Sequence, residues 1–283
     1  MFHQLMTITK KPELYSCYTA EALWNHPYIS KQMLKAHLDP NSDNASRNWD
    51  FIASSAAFLR DRFGLEEGKS VVDFGCGPGL YTTRFAQMGC KVQGLDFSQN
   101  SLAYARNEAE RLGLDIQYRY QNYLDYQPTE KYDLATMIFC DYCALNDSQR
   151  QKLLNIMRNS LKAEGHLFID VCTEKFFDRI EEGISLSFVE KDGFWSPSPY
   201  FELISAFKYP ESRVSLEKYT VVEANGTFEI FNWLKHYTPE ELSIEFRDNG
   251  LEIIEMYPSF GDNRREEESE VIAAVAKLAS NPY

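Results

Sequence analysis

The chain has 283 residues, 42 Asp and Glu against 29 Lys and Arg, and a formal net charge of −13. A field of that sign repels polyanions, which disfavours nucleic acid and anionic membrane as main partners. At 44% hydrophobic and 25% charged residues the composition is that of a globular protein with a sizeable core, and the 14% aromatic share points to a ring-rich core or an aromatic-walled pocket.

In chain order, "YTAEALWNHPYISKQML" mixes helical spacing with a proline break, and Ile52, Ala56, Leu59 and Phe63 fall on one helical face. Residues 1–69 therefore read as a helical cap. From 70 to 175 strand and helix alternate. "SVVDFG", "KVQGLDF", "IQYRYQNY", "YDLATMIFC" and "HLFIDVC" read as strands. Between them lie "LYTTRFAQMG", a helix opened by Ser98 and closed by Gly113, and a helix with Leu153, Leu154, Met157 and Leu161 on one face. Repeated β-α units with continuous apolar strands mean a parallel sheet covered on both sides.

Residues 176–237 read as an antiparallel β insertion. "YFELISAFKY", "RVSLEKYTVVE" and "TFEIFNWLKHY" are strand-like, the last two flanking Ala224-Asn225-Gly226, whose Asn-Gly favours positive backbone angles in a tight hairpin. Thr238 and Glu241 form a capping box with Pro239 at the first helical position, and Gly250 ends that helix. "LEIIEMY" and "EVIAAVAKL" read as the last two strands, and the acidic run at 263–270 as a solvated loop. The expected fold is a single doubly wound α/β domain: seven mostly parallel strands, the last antiparallel, with the helical cap and the insertion.

Six cysteines are scattered along the chain, no secretory leader opens it, and no apolar run approaches the ~20 residues of a membrane span. Free thiols in a reducing cytoplasm are expected. Cys140 and Cys143 form a C-x-x-C, but no second pair follows at zinc spacing, so no metal is expected.

The first strand runs into "VVDFGCGPGLY", with Gly75, Gly77 and Gly79 spaced G-x-G-x-G. Leu80 stands where a dinucleotide-binding turn wants its third glycine. Asp73, just before the turn, would repel a diphosphate and attract an ammonium or sulfonium. The second strand ends in Asp96, placed to accept from ribose hydroxyls, and Phe97 beside it can cover an adenine face. Adenosine joined to a cationic amino-acid tail describes S-adenosylmethionine.

With these residues, "YQNYLDY", "YDLATMIFCDY" and "LKAEGHLFIDV", the chain resembles the class I (Rossmann-like) S-adenosylmethionine-dependent methyltransferases over about residues 70 to 173. The resemblance implies that Asp73 and the backbone of Gly75, Cys76, Gly77, Pro78 and Gly79 hold the methionyl part, Asp96 the ribose, and Phe97, Asn122 and Tyr123 the adenine. It places Cys140, Asp141 and Tyr142 between sulfonium and acceptor, and makes Arg47 a candidate clamp for the cofactor carboxylate. The cap and insertion are then expected to close over the strand ends as a lid, with Trp24, Tyr28, Trp195, Trp233 and Tyr237 as candidate pocket residues. His236, His26, Asp141 and Tyr142 are the candidate bases or positioning groups. "CDYC" lacks the two prolines of the D-P-P-Y signature of adenine-methylating enzymes, so a small-molecule acceptor is expected, with no nucleic acid or membrane partner. A non-catalytic cofactor-binding relative, an NAD-type oxidoreductase and a macromolecule methyltransferase stand as alternatives.

Overall fold

The computed structural model describes residues 2–258, 260–261 and 269–280. Four helices precede the first strand: α1 (Phe2–Ile8), α2 (Ala20–Asn25), α3 (Ile29–Leu38) and α4 (Trp49–Phe63). The Asn48 side chain accepts the Phe51 N–H to start α4, and Gly64 ends it at φ +57°. Ile52, Ala56 and Leu59 are buried in one cluster with Val71, Phe85 and Phe168 of the α/β core, and Phe63 packs at its margin.

The α/β core runs β1 (Ser70–Phe74), α5 (Leu80–Gln87), β2 (Lys91–Asp96), α6 (Gln99–Leu112), β3 (Ile116–Tyr120), β4 (Tyr132–Met137), α7 (Asp147–Ser160) and β5 (Leu161–Thr173). Next come α8 (Glu174–Arg179), β6 (Gly183–Val189), β7 (Tyr200–Tyr209), β8 (Val214–Glu223) and β9 (Gly226–Tyr237). The chain closes with α9 (Pro239–Asp248), β10 (Leu251–Tyr257) and β11 (Val271–Leu278). The main sheet has the order β3-β2-β1-β4-β5-β11-β10, with only β11 antiparallel to its neighbours. Every residue of β1 is buried, as a strand covered on both faces requires. The strand order reverses between β1 and β4, and a crevice opens there at the carboxyl ends of the strands.

Strands β6 to β9 form an antiparallel meander, one strand more than the sequence pattern suggested. The extra strand, β6, alternates Ile184, Leu186 and Phe188 with small residues, and all three are exposed. The meander is continuous with the main sheet. β4 pairs with β5 only as far as Met137↔Ile169, then turns away through Phe139 and Cys140, at φ +83° and +58°. β11 holds one edge of β5 as far as Cys172, and β9 takes the other, pairing His236 with Cys172 and Tyr237 with Thr173.

Two local expectations change. Glu223 pairs with Gly226, so the β8–β9 loop is Ala224-Asn225, and neither Asn225 nor Gly226 has positive φ. Ala224 occupies the first loop position, where a positive φ is costly for any residue with a β-carbon. The acidic run at 263–270 lies outside the described residues except for Ser269 and Glu270. The capping box of α9 forms as expected. Among the described residues no helix is long and apolar enough to cross a membrane.

Candidate functional site

The turn after β1 places Gly75, Gly77 and Gly79 at φ +75°, +52° and +83°, a region that side chains rarely enter. It folds back over the tip of β2: the Gly75 and Cys76 N–H groups donate to Leu95 O (2.8 and 3.0 Å), and the Gly77 N–H donates to Asp96 Oδ2 (2.8 Å). Asp96 Oδ1 accepts the Ser98 N–H at 2.7 Å. The carboxylate is thus a brace for the turn, and each oxygen keeps a further lone pair for ribose hydroxyls.

Three more carboxyls gather behind this turn. Asp73 is 4% exposed and accepts from Thr136 Oγ1 at 2.7 Å, yet burial pushes it up to about 7, helped by the charge of Asp96. Asp141 follows β4 and lies against Gly75; burial, then the charges of Asp96 and Asp170, raise it to about 8. Asp170, on β5, accepts the N–H groups of Phe139 and Cys140 at 2.7 and 2.9 Å, which holds the sharp turn after β4. Its Oδ2 is buried without a partner among the described residues, and burial raises the carboxyl to about 8. Buried carboxyls held this close to neutrality ionise when a cation enters and gain more from it than exposed ones do. A diphosphate would meet repulsion in the same place.

Above the turn lies a cavity of about 730 Å³. Asp73, Gly75, Cys76, Gly77, Pro78, Asp96 and Phe97 line its floor, with Tyr123, Cys140 and Asp141 beside them. Arg47 is the one lysine or arginine among the described lining residues. Its guanidinium lies over the Phe139 ring (5.1 Å) and its Nε has no hydrogen-bond partner among the described residues, which leaves it free for a carboxylate. Trp24, Trp195 and Trp233 complete the wall. A turn open enough for backbone approach, a ribose acceptor, an unclaimed guanidinium and buried carboxyls together suit the parts of S-adenosylmethionine.

Other residues named from the sequence are not brought to the cavity lining. Gly79 starts α5 behind the turn, packed by Tyr118 and Thr82. The Asn122 side chain accepts the Leu124 N–H (2.9 Å) of a short 3-10 turn. His26 uses Nδ1 to accept the Tyr28 and Ile29 N–H groups at the start of α3, and Tyr28 donates its hydroxyl to Gly193 O. His236 is fully buried between Ser215 Oγ (2.8 Å) and Thr173 O (3.2 Å), and burial lowers it to about 4. Tyr142 and Tyr237 are fully buried and donate to Glu245, which also pairs with Arg150 at 2.8 Å. That hub ties α9 to the turn presenting Asp141.

The cavity also holds residues that sequence reasoning missed. His37 on α3 stacks on Trp24 (5.7 Å) and stands closest to the open side of Gly77. It is 9% exposed, its Nδ1 has no partner among the described residues, and burial lowers it to about 4, so the ring is neutral. Tyr18 and Glu202 line the cavity from the N-terminal segment and from β7. No local pattern marks any of the three, because the face that meets the turn is set by packing between distant elements.

Comparison with known proteins agrees with this geometry. The family described as "Methyltransferase domain" matches residues 71–165. A Geobacillus sp. (strain WCH70) protein named as a methyltransferase is 28% identical over 76% of this chain and 87% of its own length. The ubiquinone biosynthesis O-methyltransferase of Nitrobacter winogradskyi is 27% identical over 78% of this chain and 69% of its own. Among solved structures, the CcbJ methyltransferase from Streptomyces caelestis shares the fold with a TM-score of 0.68 at 19% identity, covering 89% of this chain and 98% of that one. Residues 71–165 form a methyltransferase domain, and over most of its length the chain is similar to methyltransferases with the Rossmann-like fold that use S-adenosylmethionine.

Proposed function

We propose that this methyltransferase alkylates a small organic molecule bound in the cavity above the glycine turn. The observation that carries the reading is the cavity itself: about 730 Å³, walled by tryptophans, with Arg47 as its one lysine or arginine among the described lining residues. A ring-lined space of that size suits a small ligand, and a polyanionic strand would find no basic track among its described lining residues.

S-adenosylmethionine supplies a methyl group on a positively charged sulfur. In this reading Asp96 accepts from the ribose hydroxyls, Phe97 and Tyr123 flank the adenine, and the open backbone at Gly77 lets the ligand lie close. Arg47 pairs with the amino-acid carboxylate and Asp73 with the ammonium. Asp141, beside Gly75, faces the reacting centre; a carboxyl poised near neutral pH is matched to accept a proton there. The N-terminal helices and the meander β6–β9 act as the cover that aligns the acceptor and excludes water, where orientation alone supplies about 7–11 kcal/mol.

Calorimetric titration with S-adenosylmethionine and with NADH tests the reading. Micromolar binding of the first and none of the second is expected; the reverse would make the protein an oxidoreductase. A methyl-release assay over a metabolite panel, detecting S-adenosylhomocysteine, then separates an enzyme from a binding module.

A further inference from the structure

We propose that the acceptor is an amine, recognised as a cation by Glu202 with the rings of Trp195 and Tyr219, and methylated on nitrogen. The proposal rests on the small-molecule reading above and deepens it.

The first support is the build of the insertion's wall. Glu202, Trp195 and Tyr219 all line the cavity. Glu202 and Tyr219 share one face of the meander, since Glu202 pairs with Val221 and Ile204 with Tyr219. The Trp195 ring leans on that of Tyr219 at 5.0 Å, and its Nε1–H donates to Glu202 Oε1 at 2.5 Å. A carboxylate oriented by the Trp195 Nε1–H edge, with the Tyr219 ring packed against that indole, supplies the charge and the aromatic surface of an ammonium site. The nearby lysines of the meander do not cancel this charge: Lys218 is buried against Glu229 at 2.8 Å, and Lys235 donates to Ser212 O.

The second support is charge conservation across the reaction. Asp43, Asp73, Asp96, Asp141 and Glu202 line the cavity, Glu270 there is already paired with Arg179 at 2.8 Å, and against them stand Arg47, the one lysine or arginine among the described lining residues, and a neutral His37. An anionic oxygen acceptor would be repelled on entry, and its methylation would annihilate the positive charge the cavity is built around. A neutral amine avoids both penalties. Its lone pair forms the C–N bond as the S–CH₃ bond breaks with its electron pair left on sulfur, so the positive charge passes to nitrogen and stays among the carboxylates. The amine enters as an ammonium and gives one proton to Asp141, from which it reaches solvent; the methylated product leaves as an ammonium.

The test compares same-skeleton pairs of primary amines and alcohols, tyramine with tyrosol and cyclohexylamine with cyclohexanol among them, within a broader panel. Readouts are S-adenosylhomocysteine release, product mass, and amine affinity of the S-adenosylhomocysteine complex by calorimetry. Amines are expected to turn over at least 100-fold faster than their alcohol partners. Glu202→Gln is expected to raise the amine KM and Kd at least tenfold with S-adenosylmethionine affinity unchanged, thermal melting confirming that the variant folds; Glu202→Asp should recover part of the loss. Methylation of alcohols or phenols in preference to amines, an amine KM that ignores Glu202→Gln, or tight cofactor binding with no amine methylated each overturns the proposal. Absence of cofactor binding would instead overturn the reading on which it rests.

Discussion

The carboxylate of Asp141 rests so closely against the α-carbon of Gly75 that a β-carbon there would overlap Asp141 Oδ2. The glycine turn and the acidic group after β4 therefore share one volume. Gly75→Ala should push the carboxylate aside, because a side-chain end yields more readily than the backbone, and adds about 1–2 kcal/mol of left-handed strain. We expect a small drop in melting temperature and a loss of at least about 100-fold in kcat/KM, the larger part of it in kcat. Unchanged turnover would remove Asp141 from the reaction.

The buried acids make cofactor binding depend on pH. Asp73 stands at about 7, and Asp141 and Asp170 at about 8, all above the ordinary carboxyl value of 3.8. The folded state thus holds these protons more tightly than the unfolded one. Their contribution to stability is complete below about pH 4 and is lost as pH rises through 7 to 8. A bound cation favours the ionised forms, so S-adenosylmethionine should bind more tightly as pH rises from about 6 to about 8.5 and release protons on binding. Calorimetry in buffers of different ionisation enthalpy measures that release; a buffer-independent enthalpy at pH 7 would contradict it.

Asp96 carries three loads, the Gly77 and Ser98 N–H groups and the ribose hydroxyls of the proposed complex. Asp96→Ala loses two charge-assisted hydrogen bonds to ligand at about 1.5–3 kcal/mol each, so S-adenosylmethionine affinity should fall by about 150-fold or more. Asp96→Asn should fall between. A change below about threefold in titration would argue against ribose contact.

His236 separates a structural histidine from a base. Its two ring nitrogens are engaged by Ser215 and Thr173 where β9 joins β5, and Phe176 and Phe177 pack on the ring at 5.2 and 5.4 Å. His236→Ala should cost about 2–4 kcal/mol of stability through orphaned polar groups and a cavity, with kcat within about twofold by the same logic of roles. Denaturant melts and steady-state kinetics on one preparation check both halves.

Much of the proposed cofactor side was legible because its parts are neighbours in the chain. Asp73, the three glycines and Asp96 belong to a strand–turn–helix–strand run whose geometry follows from local residue choice, and the structure has that run with the three glycines at positive φ. The acceptor side was not legible in the same way. His26, His236, Tyr142 and Tyr237 have the right chemistry for a pocket, yet each spends its polar atoms inside the fold. Asp170 looks like an ordinary strand residue, and only the fold brings it under the Phe139–Cys140 turn within electrostatic reach of Arg47. The period-two pattern at Ile184, Leu186 and Phe188 was present in the sequence and marks β6, although its apolar residues face outward.

What the residues determined unaided is the alternation of β and α, the glycine turn that tolerates close approach, and the acids placed at two successive strand tips. These rest on short-range sterics and hydrogen bonding. What tertiary structure decided is which side chains share the cavity: His37 with Arg47, Asp141 and Glu202 come from three distant segments. Their shared electrostatic field exists only once packing has removed the water between them.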